Sequence, residues 1–115
     1  RKDLLCYHID QSTKMRFAIK WTWPADADAA YCKAHQEVLV GYIKNGCPSD
    51  KSDGFEVLER IHFPLKGGIQ FVEAINAARV YKYLDPWFRK WAVNVEVLTA
   101  LSDEELVSYE ESISP

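Results

Sequence analysis

The alternation of apolar and polar positions predicts the first strand. Apolar residues occupy every second position over residues 15–23, and this period of two is typical of a β-strand with one dry face, ended by Pro24. From residue 26 the apolar spacing lengthens to three or four, which predicts an amphipathic helix up to the stop signal Asn45-Gly46. A strand followed by a helix therefore opens the domain.

The middle of the chain predicts a hairpin. The polar residues 48–54 have the composition of a loop, and a second strand follows over residues 55–63. One face of this strand is predicted to carry Phe55, Val57, Ile61 and Phe63, and the other Glu56, Leu58, Arg60 and His62. Pro64 ends the strand and Gly67-Gly68 permits a tight connection, so residues 69–74 are expected to return antiparallel.

The last third repeats the alternation of helix and strand. Asn76 is a good cap for a second helix, which we expect to be kinked or in two pieces at Pro86 because proline lacks the N–H that a helix interior needs. Residues 93–97 alternate as a fourth strand. Ser102 and Glu105 form a capping box that opens a short terminal helix.

This order of elements predicts one α+β domain over residues 15–115. Strand, helix, strand, strand, helix, strand is the arrangement of ferredoxin-like folds, in which two helices cover one face of a four-stranded antiparallel sheet. Residues 1–14 form an N-terminal extension whose apolar side chains predict docking on the domain or a neighbour. The expected core pairs the first strand with the two helices, through Phe17, Ile19, Trp21, Val38, Leu39, Val80 and Leu84.

The second face of such a sheet has no helix to cover it. A face of this kind is solvated or buried in a partner, and its intermediate polarity favours a mixed interface with complementary charges. The residues expected there are Lys20, Arg60, Gln70, Asn94 and Glu96.

Composition narrows the class of protein. The 115 residues are 48% hydrophobic and 13% aromatic, which excludes a disordered chain, and the net charge of −3 gives no electrostatic reason to expect nucleic acid. No apolar run reaches the length of a membrane span. Three cysteines without a Cys-x-x-Cys pair favour a reducing intracellular compartment. Because the chain begins at Arg1 without Met, we expect removal of a targeting segment, as for an organellar protein, or trimming.

Candidate chemistry is sparse. His62 with a carboxylate partner could act as an acid or base, although a histidine at a strand end is more often structural. Cys32 and His35 have the spacing of half a zinc site, but no second pair completes it, so no metal or cofactor is predicted. The basic and aromatic residues 88–91 could stack on a nucleotide, yet their spacing fits a helix with one buried side. The sequence carries no recognised catalytic motif.

An ordered set of segments resembles the DUF3303 family. The set comprises residues 17–24, Arg60-Ile61-His62, residues 67–73, residues 93–98 and Asp103-Glu104-Glu105, and the resemblance covers residues 15–111. Gly46-Cys47-Pro48 stands where many members have Gly-Gly-Pro-Pro. The resemblance implies a ferredoxin-like protein of the dimeric α+β barrel type and assigns no activity.

Two functions remain open. The first is a non-enzymatic interaction protein or accessory subunit, which uses the open sheet face and the N-terminal extension to dimerise or dock on a larger complex. An organellar, photosynthetic complex is one version, because relatives occur in photosynthetic microbes. The alternative is a small-molecule-binding protein or enzyme with a cleft formed by Trp21, Trp23, His62, Phe71 and Glu73.

Overall fold

The computed structural model describes residues 14–113, so the expected docking of the N-terminal extension lies outside the described residues. The order of elements agrees with an α+β domain. The elements are β1 (Met15–Thr22), α1 (Ala29–Lys44), β2 (Lys51–Ser52), β3 (Phe55–Phe63), β4 (Gly67–Ala74), α2 (Ala77–Trp91), β5 (Asn94–Ala100) and α3 (Asp103–Ser112).

The strands form one antiparallel sheet in the order β2-β3-β4-β1-β5. In this sheet β1 lies between β5 and β4, the second strand of the β3-β4 hairpin. The prediction of four strands is wrong, because Lys51 and Ser52 lie inside the expected loop and pair with Glu56 and Phe55. Gly54, at φ +75°, makes the reversal between β2 and β3 possible. A fifth, two-residue strand therefore extends the edge of the sheet.

The helix boundaries follow the capping signals in the sequence. Asp28 caps α1, Asn76 caps α2, and the capping box of Ser102 and Glu105 opens α3. The second helix was expected to be kinked or in two pieces at Pro86. The two-piece alternative is wrong, because α2 runs continuously through Pro86, and the kink stays a prediction. The second half of α2 is anchored by Trp87 and Trp91, whose rings pack against α1, so tertiary contacts outweigh the missing proline N–H.

The core lies between the sheet and α2. Phe17 and Ile19 of β1 are buried with Val80 and Leu84 of α2, as predicted, together with Phe55, Val72 and Ala74. Val38 is a correction, because it is 39% exposed. The buried face of α1 is shifted by part of a turn and carries His35, with Tyr31, Leu39 and Tyr42 half-buried beside it.

A β-bulge in β3 changes which side chains face the helices. Val57 pairs with Val72 of β4, but the next pair joins Glu59 to Phe71, so Leu58 is an extra residue. Before the bulge the odd-numbered residues of β3 face the helices; after it the even-numbered ones do. Arg60 and His62 consequently lie on the helix-covered face, and Ile61 and Phe63 lie on the opposite face, contrary to the prediction.

Candidate functional site

Arg60 is the centre of a polar cluster between the sheet and the helices. Its Nη2 donates to Oδ1 of Asp50 at 2.6 Å and to the hydroxyl of Tyr83 at 3.0 Å, and its Nε donates to Oε1 of Gln70 at 2.9 Å. Nη1 also approaches Sγ of Cys47 at 3.6 Å. The Arg60 side chain is only 13% exposed, so these partners take the place of most of its water.

Two tyrosines complete this group, which we call the Arg60 cluster (Arg60, Asp50, Gln70, Tyr42 and Tyr83). The Tyr42 hydroxyl donates to Oδ1 of Asp50 at 2.5 Å, and the Tyr83 hydroxyl lies 3.3 Å from the same oxygen. Burial raises the pKa of both tyrosines. For Tyr42, the hydrogen bond to Asp50 raises the pKa further. Burial alone lowers the pKa of Arg60, but the hydrogen bonds and charge interactions with Asp50 and Tyr83 together outweigh burial, and the net pKa is raised. The cluster thus holds neutral tyrosines around one ion pair.

His35 lies in an aromatic cage, on the far side of a cavity from the Arg60 cluster. Its ring stacks on Tyr31 at 5.6 Å and meets the edges of Trp23 and Trp91 at 5.2 Å and 5.1 Å between centroids. The residue is 3% exposed, and its Nδ1 has no hydrogen-bond partner among the described residues. Burial lowers the pKa of His35, so the imidazole is neutral at neutral pH.

A cavity of about 50 Å³ separates the Arg60 cluster from His35. At roughly 10–15 Å³ per water, it has room for a few water molecules or one small polar group. His62 borders it and meets the edge of Trp21 at 5.9 Å between ring centroids. Burial and the charge of Arg60 lower the pKa of His62. The remaining wall is aromatic and aliphatic, and includes Leu39, Leu84, Trp87, Val93 and Val95.

Gly68 explains how Trp21 comes to border this cavity. The two residues are directly paired across β1 and β4. A Cβ atom on Gly68 would overlap the Trp21 ring and the backbone oxygen of Ile61, so a larger residue there would displace the ring.

The opposite side of the sheet, which we call the open face, carries a continuous apolar patch. Cross-strand pairing places Ile61 beside Ile69, and Ala18 between Phe71 and Leu98. Ile61, Phe63 and Leu98 are 45%, 44% and 50% exposed. Charged side chains surround the patch, among them Lys20 and Glu96, which pair across β1 and β5, and the ion pair of Arg16 and Glu73 at 3.3 Å.

The residues expected to form a cleft are divided between the two faces. Trp21 and His62 border the cavity, and Trp23 lies next to it in the cage of His35. Phe71 and Glu73 do not belong to it, because they pair with Ala18 and Arg16 on the open face. Alternation along β4 places them opposite Gln70 and Val72, which are buried on the helix side.

The residues expected at an interface are divided in the same way. Lys20, Asn94 and Glu96 lie on the open face. Arg60 and Gln70 are a correction, because the bulge and the register of β4 turn both toward the helices.

Sequence reasoning missed the apolar residues of the open face, Ile61, Phe63 and Leu98. One signal in the sequence pointed to the bulge: strict alternation would place the charged Glu59 on the core face between Val57 and Ile61.

The other candidate chemistries find little support in the described part of the chain. Within residues 14–113, no group of three or more His, Cys, Asp and Glu side chains is placed to hold a metal ion. Cys32 is half-buried. Phe88 is 56% exposed, whereas Trp91 is buried, so the basic and aromatic segment is an ordinary amphipathic turn. No helix within these residues is long and apolar enough to cross a membrane.

Over residues 14–113, the fold and these two surfaces define an α+β protein with an open, five-stranded antiparallel sheet and three helices. Residues 15–113 match the family described as a domain of unknown function, DUF3303, and the chain belongs to that family. This match confirms the resemblance noted from the sequence. No curated protein and no solved structure matches the chain.

Proposed function

We propose that this chain is an interaction protein that self-associates through its open face. The observation that carries the proposal is the apolar patch of Ile61, Phe63 and Leu98, with Ile69 and Phe71 half-buried between them. Contiguous exposed apolar surface rimmed by charge is typical of protein interfaces. This supports the non-enzymatic function expected from the sequence, with a more apolar contact than expected.

Charge favours a second copy as the partner. Lys20 and Glu96 are neighbours on adjacent strands, so a two-fold axis through this region brings Lys20 of one copy near Glu96 of the other. The strand order β3-β4-β1-β5 with α1 and α2 on one face supports a ferredoxin-like fold. Pairing two open faces would then make the dimeric α+β barrel that the resemblance implies. Docking on a photosynthetic complex stays a prediction.

Sedimentation over a range of protein concentrations tests this proposal. We expect Leu98→Lys to stay folded and to sediment with a smaller assembly mass than the natural sequence, because a buried lysine opposes association. Val40→Lys is the matched control: Val40 is 41% exposed but lies on α1, so this variant should sediment with the same assembly mass as the natural sequence. A natural chain that is monomeric at every concentration would contradict self-association.

A charge exchange sharpens the test. Glu96→Lys should weaken the dimer while leaving the thermal unfolding of the domain nearly unchanged, because the core on the helix side is untouched. Adding Lys20→Glu should restore the dimer, since both the intrachain and the interchain pairs are again complementary. If Glu96→Lys associates as strongly as the natural chain, the interface lies elsewhere.

One observation favours the small-molecule alternative as a second candidate. His35 borders the cavity, and within the described residues nothing hydrogen-bonds to its buried Nδ1 atom. Because both nearby histidines are held neutral and Arg60 is paired, the cavity suits a small neutral group such as a hydroxyl or carbonyl.

Calorimetry with two matched probes tests this second candidate. Methanol, which is small enough for this cavity, should raise the unfolding temperature more than fluoromethane, which has nearly the same shape without the hydroxyl, and His35→Phe should remove the difference. Equal shifts from both probes would show that His35 takes no part, and no shift from either would reject a ligand in this cavity.

A further inference from the structure

The terminal helix α3 presents apolar residues to solvent. Every residue of Asp103–Ser112 is exposed, and so is Ile113. Leu106, Tyr109 and Ile113 are spaced to share one side of the helix, and they are 46%, 52% and 57% exposed. An isolated helix of ten residues is marginal in water, and most helical stability in proteins comes from packing an apolar side. Helix α3 therefore needs a surface to pack on.

A groove of matching character lies between α2 and β5. It has a volume of about 510 Å³ and apolar walls formed by Tyr81, Leu84, Phe88, Ala92, Val95 and Val97. Tyr81 and Phe88 are 58% and 56% exposed. The groove is on the helix side of the sheet, so it is distinct from the open face.

The charges of the two elements are complementary. Helix α3 carries five acidic residues and no basic one: Asp103, Glu104, Glu105, Glu110 and Glu111. Helix α2 carries four basic residues and one acidic one. Arg89 and Asp85 form an ion pair at the wall of the groove, so the complementarity rests on the excess of basic residues along α2. Opposite charges of this kind steer a helix to its groove and exclude other partners.

The chain's own α3 does not fill its groove. Only Leu101 and Ser102 connect β5 to α3, and Ser102 is held in the capping box with Glu105. In this arrangement no residue of α3 is covered.

We propose that α3 of a second copy docks in the groove between α2 and β5, with Leu106, Tyr109 and Ile113 facing Tyr81 and Phe88. A two-fold axis makes the exchange reciprocal, so both grooves are filled and the assembly is closed. This goes beyond the open-face contact and does not require it.

Crosslinking between two chains of different mass tests this exchange. Cys6, Cys32 and Cys47 are first replaced by serine, and Phe88→Cys in one chain is mixed with Leu106→Cys in a longer, tagged chain. A short bismaleimide should join the two chains. Ser108→Cys, on the opposite side of α3, is the matched control and should give severalfold less product. High salt should reduce the yield, because acidic α3 meets basic α2.

Three results would overturn the proposal. Equal crosslinking from Ser108→Cys and Leu106→Cys would mean that α3 has no preferred side. A chain carrying both Phe88→Cys and Leu106→Cys that is crosslinked within itself, with no product between chains, would mean that α3 folds onto its own groove. If removal of residues 1–12, but not of α3, exposes Phe88→Cys to maleimide, the N-terminal segment is the occupant.

The two association proposals fail separately. Crosslinking from α3 reports on the groove, whereas sedimentation of Leu98→Lys reports on the open face. A monomeric natural chain with no crosslinked product rejects both. A dimer that Leu98→Lys disrupts, but in which Leu106→Cys and Ser108→Cys crosslink equally, rejects the helix exchange alone.

Discussion

Replacement of Arg60 by methionine should destabilise the domain more than any other change to an ion pair. Methionine keeps most of the aliphatic stem but removes the charge from a side chain that is 13% exposed, leaving Asp50 21% exposed without its cation. Removing one partner of a buried pair costs about 3–5 kcal/mol. Asp50 keeps the Tyr42 hydroxyl as a donor and some access to water, so we expect a cost about 1 kcal/mol below that range, about 2–4 kcal/mol.

Urea unfolding at one fixed protein concentration measures this cost, since association would otherwise shift the midpoint. The matched control is Arg89→Met, which breaks an ion pair of the same kind with Asp85 at 2.7 Å. The Arg89 side chain is 78% exposed, so its loss should cost roughly 0.2–0.5 kcal/mol. Both changes remove an arginine from a close carboxylate, so the difference between the two costs reports mainly on the burial of the Arg60 side chain.

A double-mutant cycle with Asp50→Ala completes the test. If the pair stabilises the fold through mutual contact, the double variant should cost less than the sum of the single ones by roughly 0.5–3 kcal/mol. The reasoning is refuted if Arg60→Met costs no more than Arg89→Met, or if the two single changes simply add. Either result would mean that water reaches Arg60 and screens it.

Three other changes test the core and the cavity. Ile19→Ala should cost about 2–5 kcal/mol in urea unfolding, because Ile19 is fully buried, and a loss below about 0.5 kcal/mol would refute its place in the core. The pKa of His35 is lowered in the folded state, so stability should fall as pH drops below the unfolded value near 6.5, and His35→Gln should flatten this dependence. Gly68→Ala should displace Trp21, seen as a shift in tryptophan fluorescence and a lower unfolding temperature.

Local signals were sufficient to predict most of the fold. The N-terminal caps of α2 and α3, Asn76 and Ser102, can be recognised from the sequence, because a cap depends on neighbours within three or four residues. The alternation of apolar and polar residues located β1 and β3, and this signal is also local, because every second side chain of a strand points to the same face. The family resemblance, which the match over residues 15–113 confirms, rests on the same ordered elements.

Features that depend on pairing between distant segments escaped prediction. Strand β2 is two residues long, and no alternation is measurable over such a length. The continuity of α2 through Pro86 depends on aromatic contacts with α1 that are far away in sequence. The Arg60 cluster likewise joins β3 to the loop before β2 and to both helices, so no single segment carries its pattern.

The bulge at Leu58 decides what both faces of the sheet do. A regular β3 would bury Ile61 and Phe63 beneath the helices and leave Arg60 and His62 exposed, so the sheet would have a dry core and a polar outer face. With one extra residue, the cation enters the interior, where Asp50, Gln70 and Tyr83 must satisfy it, and two large apolar side chains move outside. The Arg60 cluster in the interior and the apolar patch on the open face are thus two consequences of one inserted residue. An isolated monomer gains nothing from that exchange, since it places charge in the core and hydrocarbon in water. The proposed self-association would recover this cost by covering the open face, which is the physical reason to look for the second copy there.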